Sequence, residues 1–135
     1  MQIDELIDNF SFFDGWEDKY KYLIELGNKL PHLSDDKKTA EWKVPGCQSQ
    51  VWIIPHYEKQ HIYFEGDSDA IIVRGIIAVV FIIFQDKSAQ EILNIDVEEI
   101  FDKLGLRDNI TQNRRSGMLS MVDKIRYYAT QSLGK

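Results

Sequence analysis

The chain has 135 residues, 44% of them apolar and 28% charged, which suits a single soluble domain over 1–135 with its own hydrophobic core. Sixteen Lys and Arg stand against 22 Asp and Glu for a net charge of −6, with no basic cluster; this argues against nucleic acid or an anionic membrane surface as partner, since both need a concentrated positive face. One cysteine excludes an internal disulfide and supplies at most one of the four ligands that a structural zinc or an iron–sulfur cluster usually takes.

Ile3, Leu6, Ile7 and Phe10 fall on one helical face, and Tyr20, Leu23, Ile24 and Gly27 repeat the pattern within residues 16–30, so two amphipathic helices open the chain. Residues 31–43, with the polar run Ser34-Asp35-Asp36-Lys37-Lys38, read as a surface connection without structure of its own. Residues 51–57 and 60–65 are short runs rich in Val, Ile, Trp, Tyr and Phe; flanking Glu58-Lys59, they predict an antiparallel hairpin. Apolar residues run consecutively in both, so part of the hairpin is expected to be covered on both faces. His56 and His61 are expected on opposite faces.

Residues 70–84 are the most apolar tract. They fall short of the roughly 20 residues a membrane helix needs, and Arg74 and Gly75 interrupt them. Too long for an ordinary strand, the tract reads as a buried central helix with Asp67 or Ser68 as N-cap. Ser88 and Glu91 have the capping-box spacing at the head of the next helix. Residues 97–104 form another, ended by Gly105. Thr111 opens a last helix, with Met118, Met121, Val122, Ile125 and Tyr128 on a stripe read as core. Two helices, a small antiparallel sheet and further helices make an α+β fold, the helices packed on one face of the sheet.

Cys47 sits in the tract Val44-Pro45-Gly46-Cys47-Gln48-Ser49-Gln50-Val51-Trp52. Pro45-Gly46 marks a turn and the residues after the cysteine are polar, which places the sulfur on a loop running into a strand. Such a thiol is a packed side chain, a nucleophile or a sulfur carrier. A nucleophilic thiol acts as thiolate, which cations favour; Lys43, His56, His61 and Arg114 are the candidates. Gln48, Ser49 and Gln50 are placed to donate hydrogen bonds to the thiolate or to a partner's backbone, or to remain solvated. For Asp67 and Asp69 the simplest role is capping and favourable charge at the N-terminus of the central helix. A base drawn from His32, His56 or His61 would make a cysteine hydrolase, but no papain-like or caspase-like signature surrounds Cys47. A free thiol and an acidic N-terminus, Met1-Gln2-Ile3-Asp4-Glu5, point to the cytoplasm rather than to secretion.

Three motifs in order, Pro45-Gly46-Cys47-Gln48-Ser49-Gln50-Val51-Trp52, Gly66-Asp67-Ser68-Asp69-Ala70 and Arg114-Arg115-Ser116-Gly117-Met118, resemble the SufE family of sulfur-acceptor proteins. Trp16-Glu17-Asp18-Lys19-Tyr20 and Ile24-Glu25-Leu26-Gly27 extend the likeness to the opening helices, so that it covers residues from about 16 to about 128. The resemblance implies a fold shared with iron–sulfur scaffolds of the IscU type. It also implies a job: a cysteine desulfurase holds sulfur as a persulfide, Cys47 takes the terminal sulfur, and the carrier passes it to a scaffold that builds iron–sulfur clusters. Arg114, the first residue of the family's Arg-x-x-Gly motif, is implied to lie near Cys47, and the Gly-Asp-Ser-Asp-Ala motif to help hold the cysteine loop. This chain would need no cofactor, because the pyridoxal phosphate belongs to the desulfurase; homodimerisation is left open.

A lone cysteine suits that cargo. A second thiol nearby would expel the sulfur as sulfide and close a disulfide. A carried sulfur also needs shelter; Gly46 supplies backbone freedom at the loop, and Trp52, Phe64 and the helix over 71–84 are the expected walls. From a different class, a stand-alone thiol enzyme or redox sensor would cycle Cys47 through sulfenic acid. An iron–sulfur scaffold fails on ligand count unless chains share a cluster.

Overall fold

The computed structural model describes residues 1–134. In chain order the elements are α1 (Ile3–Phe12), α2 (Trp16–Asn28), a 3-10 turn (Asp35–Lys37), β1 (Val51–Glu58), β2 (His61–Ser68), α3 (Ile71–Phe84), α4 (Ala89–Asn94), α5 (Val97–Leu104), α6 (Leu106–Asn109) and α7 (Gln112–Leu133). The α+β pattern expected from the sequence is present.

The strands pair antiparallel from Val51 opposite Ser68 to Glu58 opposite His61. Their turn is Lys59-Gln60, one residue later than expected, with φ of 50° and 68°. Two left-handed residues in succession match the right-handed twist of a hairpin, and the strands gain pairs at both ends as a result. The register also corrects the histidines: a two-residue turn puts an even residue of β1 on the same face as an odd residue of β2, so His56 and His61 share one face. His56 Nε2 lies 2.6 Å from Glu65, and His61 Nδ1 lies 2.7 Å from Asp86.

The other face carries Val51, Ile53, Ile62 and Phe64 into the main core, where α3 packs on β2 and α7 on β1. The tyrosine at the end of the α7 stripe ties the two layers together, the Tyr128 hydroxyl donating to the Ile53 carbonyl at 2.9 Å. Trp52 and Ile54 point outward, but Leu33 and Trp42 cover them. Residues 31–43 are therefore more than a bare connection. They hold the 3-10 turn, and the Trp42 carbonyl accepts from the Ile53 N–H at 3.0 Å, because the apolar outer face of β1 must be shielded from water.

Helix α3 is apolar on every side because it is enclosed, with α2 along one flank and the sheet and α7 along others. No side chain caps it: Ser68 Oγ accepts from the Ala70 N–H at 3.2 Å. Asp67 belongs to β2 and is buried, its carboxylate paired with the buried Arg74 of α3. Its expected capping role is thus replaced by an ion pair, since a guanidinium enclosed in an apolar helix requires a partner. Ser88 and Glu91 complete their capping box, Gly105 ends α5 at φ 75°, and Thr111 caps α7. The short α6, which carries the buried Leu106, has no periodic signal of its own in the sequence.

Helices α2 and α3 touch through backbone. A Cβ on Gly27 would stand 2.5 Å from the Gly75 nitrogen, and one on Gly75 would run into the Leu23 carbonyl. In an open helix Gly→Ala stabilises by about 0.5–1 kcal/mol. Here Gly27→Ala is expected to destabilise by about 3 kcal/mol, the upper end of overpacking costs, because the obstacle is main chain. Urea unfolding measures it, and a neutral or stabilising result would show that the helices part freely.

Candidate functional site

The Val44 N–H donates to the Val51 carbonyl at 2.8 Å, pinching off a loop of residues 45–50. Gly46 turns this loop at φ 83°, a left-handed conformation that disfavours any side chain, and a Cβ there would also meet Ser120 Oγ at 2.7 Å. The turn lays Cys47 against α7 at Gly117, whose missing side chain would lie 3.5 Å from the sulfur. Cys47 Sγ donates to the Gly117 carbonyl at 3.6 Å. At the far end of the loop the Gln50 N–H donates to Asp69 Oδ1 at 3.1 Å.

The sulfur faces a cavity of about 90 Å³ lined by Cys47, Gln48 and Ser49 of the loop, Val73 and Ile76 of α3, and Asn113, Arg114, Gly117 and Met121 of α7. Cys47 is half-buried there, and that burial pushes its thiol pKa up. The carbonyl it faces is an acceptor only, which likewise suits a protonated thiol. Arg114 lines the same cavity, but its Nη1 donates to the Tyr20 hydroxyl of α2 at 2.6 Å.

Of the residues singled out in the sequence, Gln48, Ser49 and Arg114 line the cavity with Cys47, while Gln50 and Asp69 meet each other at the loop's end. Asp67 stands apart, accepting from the N–H groups of Leu33 at 3.0 Å and Ser68 at 2.8 Å. Of the other cations considered, Lys43 pairs with Trp52 through its backbone, His56 and His61 bind carboxylates on the outer face of the sheet, and His32 lies beside Asp67 and Arg74. None lines the cavity.

The walls also differ from expectation. Trp52 is on the outer face of the sheet, and Phe64 stacks on Phe81 at 6.0 Å between centroids. Val73 and Ile76 keep the part foreseen for α3, and α7 supplies the opposite wall. Sequence reasoning missed Asn113, Met121 and Tyr20; the spacing Arg114, Gly117, Ser120, one helical face with two small residues, was the available signal that something packs closely there.

Fold and site together define an α+β domain that presents one thiol from a glycine-hinged loop over a small cavity. Among the described residues no group of three metal-ligating side chains comes together, and no helix is long and apolar enough to cross a membrane. Residues 4–129 match the family model SufE, the Fe–S metabolism associated domain. This chain belongs to the SufE family. An uncharacterized SufE-like protein of Rhizobium etli is 49% identical over 128 residues, covering 92% of this chain and 86% of its own length. Another from Rhizobium meliloti is 46% identical, covering 92% and 91%. The solution structure of a hypothetical protein from Thermus thermophilus superimposes with a TM-score of 0.80 over 98% of this chain and 96% of that one; at 15% identity the likeness is one of fold.

Proposed function

We propose that this protein accepts sulfur from a cysteine desulfurase onto Cys47, stimulates that enzyme, and hands the sulfur on for iron–sulfur cluster assembly in the cytoplasm. The observation that carries the reading is the placement of the one thiol of a SufE-family chain: a half-buried sulfur at the tip of a pinched loop, over a small cavity with Val73, Ile76 and Met121 on its apolar walls and Gln48, Ser49, Asn113 and Arg114 on its polar ones.

In the transfer the Cys47 thiolate attacks the outer sulfur of the desulfurase persulfide. The new bond is Cys47 S–S, the broken one is the desulfurase S–S, and the desulfurase leaves as thiolate, so no net oxidation occurs. The Cys47 thiol's proton passes to solvent or to the departing thiolate. This chain has no resolving cysteine to expel the cargo. The pyridoxal phosphate that releases sulfur from free cysteine stays with the partner, and a scaffold thiol downstream repeats the same exchange.

The redox-sensor alternative has less to support it. Burial lowers the thiolate fraction for either chemistry, and it is membership of the SufE family that favours the carrier. Incubation with a desulfurase and cysteine is expected to add the mass of one sulfur atom at Cys47 and to speed sulfide release. An unchanged mass and rate, with peroxide alone giving a reversible oxygen adduct, would replace the carrier by the sensor.

A further inference from the structure

A raised, half-buried thiol is a poor nucleophile, although a guanidinium shares its cavity. We infer that Tyr20 is a positioning residue: its hydroxyl holds the Arg114 guanidinium away from Cys47 in the free protein, and breaking that one hydrogen bond lets the cation face the sulfur. The purpose of the latch rests on the sulfur-acceptor reading; the latch itself does not.

The geometry is local. Arg114 and Gly117 are three residues apart on α7 and so lie on one face, and Gly117 is the residue the sulfur touches. The Arg114 side chain therefore starts one turn from the thiol. Its Nη1 is committed at 2.6 Å to Tyr20, a short charge-assisted bond, and the Tyr20 ring is itself seated edge-on against Trp16. Nothing else charged faces the sulfur among the described residues. The loop offers Gln48 and Ser49, α3 offers Val73 and Ile76, α7 adds Asn113 and Met121, and the nearby Asp69 carboxylate is engaged with the Gln50 N–H. Arg114 is thus the one lining group able to change the field at Cys47, and Tyr20 is what occupies it.

The test is the pH dependence of iodoacetamide alkylation of Cys47 in the free, full-length protein. Tyr20→Phe removes one hydroxyl, keeps the ring, and is expected to lower the midpoint of the profile by about one pH unit, giving up to about tenfold faster alkylation at neutral pH. In Tyr20→Phe/Arg114→Ala the midpoint returns to the starting value. Arg114→Ala alone leaves the free-protein midpoint in place, because a parked cation does not act on the sulfur. An unmoved midpoint in folded Tyr20→Phe overturns the latch. So does a fall that persists in the double variant, which would show a loosened cavity, or a rise in Arg114→Ala, which would show a cation already at work. Alkylation needs no desulfurase, so failure of the latch is distinct from failure of sulfur transfer.

Discussion

Cys47→Ser is expected to abolish sulfur acceptance and desulfurase stimulation while leaving the fold standing. An alcohol forms no persulfide, and no other cysteine is present to take over. The structural cost is small: Cys47 is half-buried, and a hydroxyl can donate to the same Gly117 carbonyl that the thiol meets at 3.6 Å. A change within about 1 kcal/mol is expected from so local an exchange. Mass spectrometry after incubation with desulfurase and cysteine, a sulfide-release assay and a thermal melt measure the three quantities. If the serine variant still stimulates fully, transfer through Cys47 is wrong and activation by binding alone remains.

The largest stability effect is expected at the buried pair that joins β2 to α3. Asp67 and Arg74 are 1% and 6% exposed. Arg74 donates to Asp67, to the Gly27 carbonyl at 3.1 Å and to the Leu30 carbonyl, joining the end of α2 to β2 and α3. Arg74→Leu leaves a buried carboxylate without its nearest cation, Lys38 remaining at 3.7 Å, and removes the guanidinium donor from the two carbonyls, which costs about 3–5 kcal/mol. Because a hydrophobic replacement of both partners leaves no orphaned charge, Arg74→Leu/Asp67→Leu is expected to lose less than Arg74→Leu alone.

The pH dependence distinguishes the variants further. Burial raises the Asp67 pKa, but the N–H groups of Leu33 and Ser68 and the charges of Arg74 and Lys38 outweigh it and hold the carboxyl below its ordinary value. A depressed carboxyl contributes stability that is complete above the unfolded pKa, about 3.9, and is lost as pH falls through the lower folded value. In Arg74→Leu the N–H groups of Leu33 and Ser68 and the Lys38 charge remain, but the loss of the guanidinium lets the Asp67 pKa rise from its depressed value. The variant's deficit is therefore largest at neutral pH and shrinks in acid, as Asp67 takes up a proton in both proteins. Urea unfolding at the two pH values measures this, and a deficit independent of pH would show that the lost donor to Gly27 and Leu30, not the ion pair, is what matters.

Much of the chain was legible because its signals are local. Stripes at helical spacing marked α1, α2 and α7, and Ser88, Gly105 and Thr111 set helix ends through their own side chains or backbone. The Cys47 loop followed from Pro45-Gly46 and the polar residues after it. What escaped depends on partners distant in sequence. Lys59 and Gln60 adopt left-handed turn conformations without the glycine or asparagine that would have advertised them. Asp67 stands at a position that reads as a cap, and only the burial of Arg74 one turn into an apolar helix assigns it elsewhere; a lone arginine in such a tract was the available clue. The apolar α3 shows no preferred face, so nothing in its pattern could select Val73 and Ile76 over their neighbours as cavity walls. Tyr20 counted as one more apolar position on α2 until its hydroxyl met Arg114.

The hydrogen bond between Val44 and Val51 sets a tether length. Cys47 is three positions along the chain from the pinned Val44, and a fully extended chain covers at most about 3.3–3.6 Å per residue, so the cysteine backbone stays within about 10 Å of that anchor while the bond holds. A protein exchanging sulfur at Cys47 must therefore offer its own sulfur close to its surface, or insert a projection of its own to meet the loop, and one whose reactive group lies at the bottom of a long tunnel is excluded by reach alone.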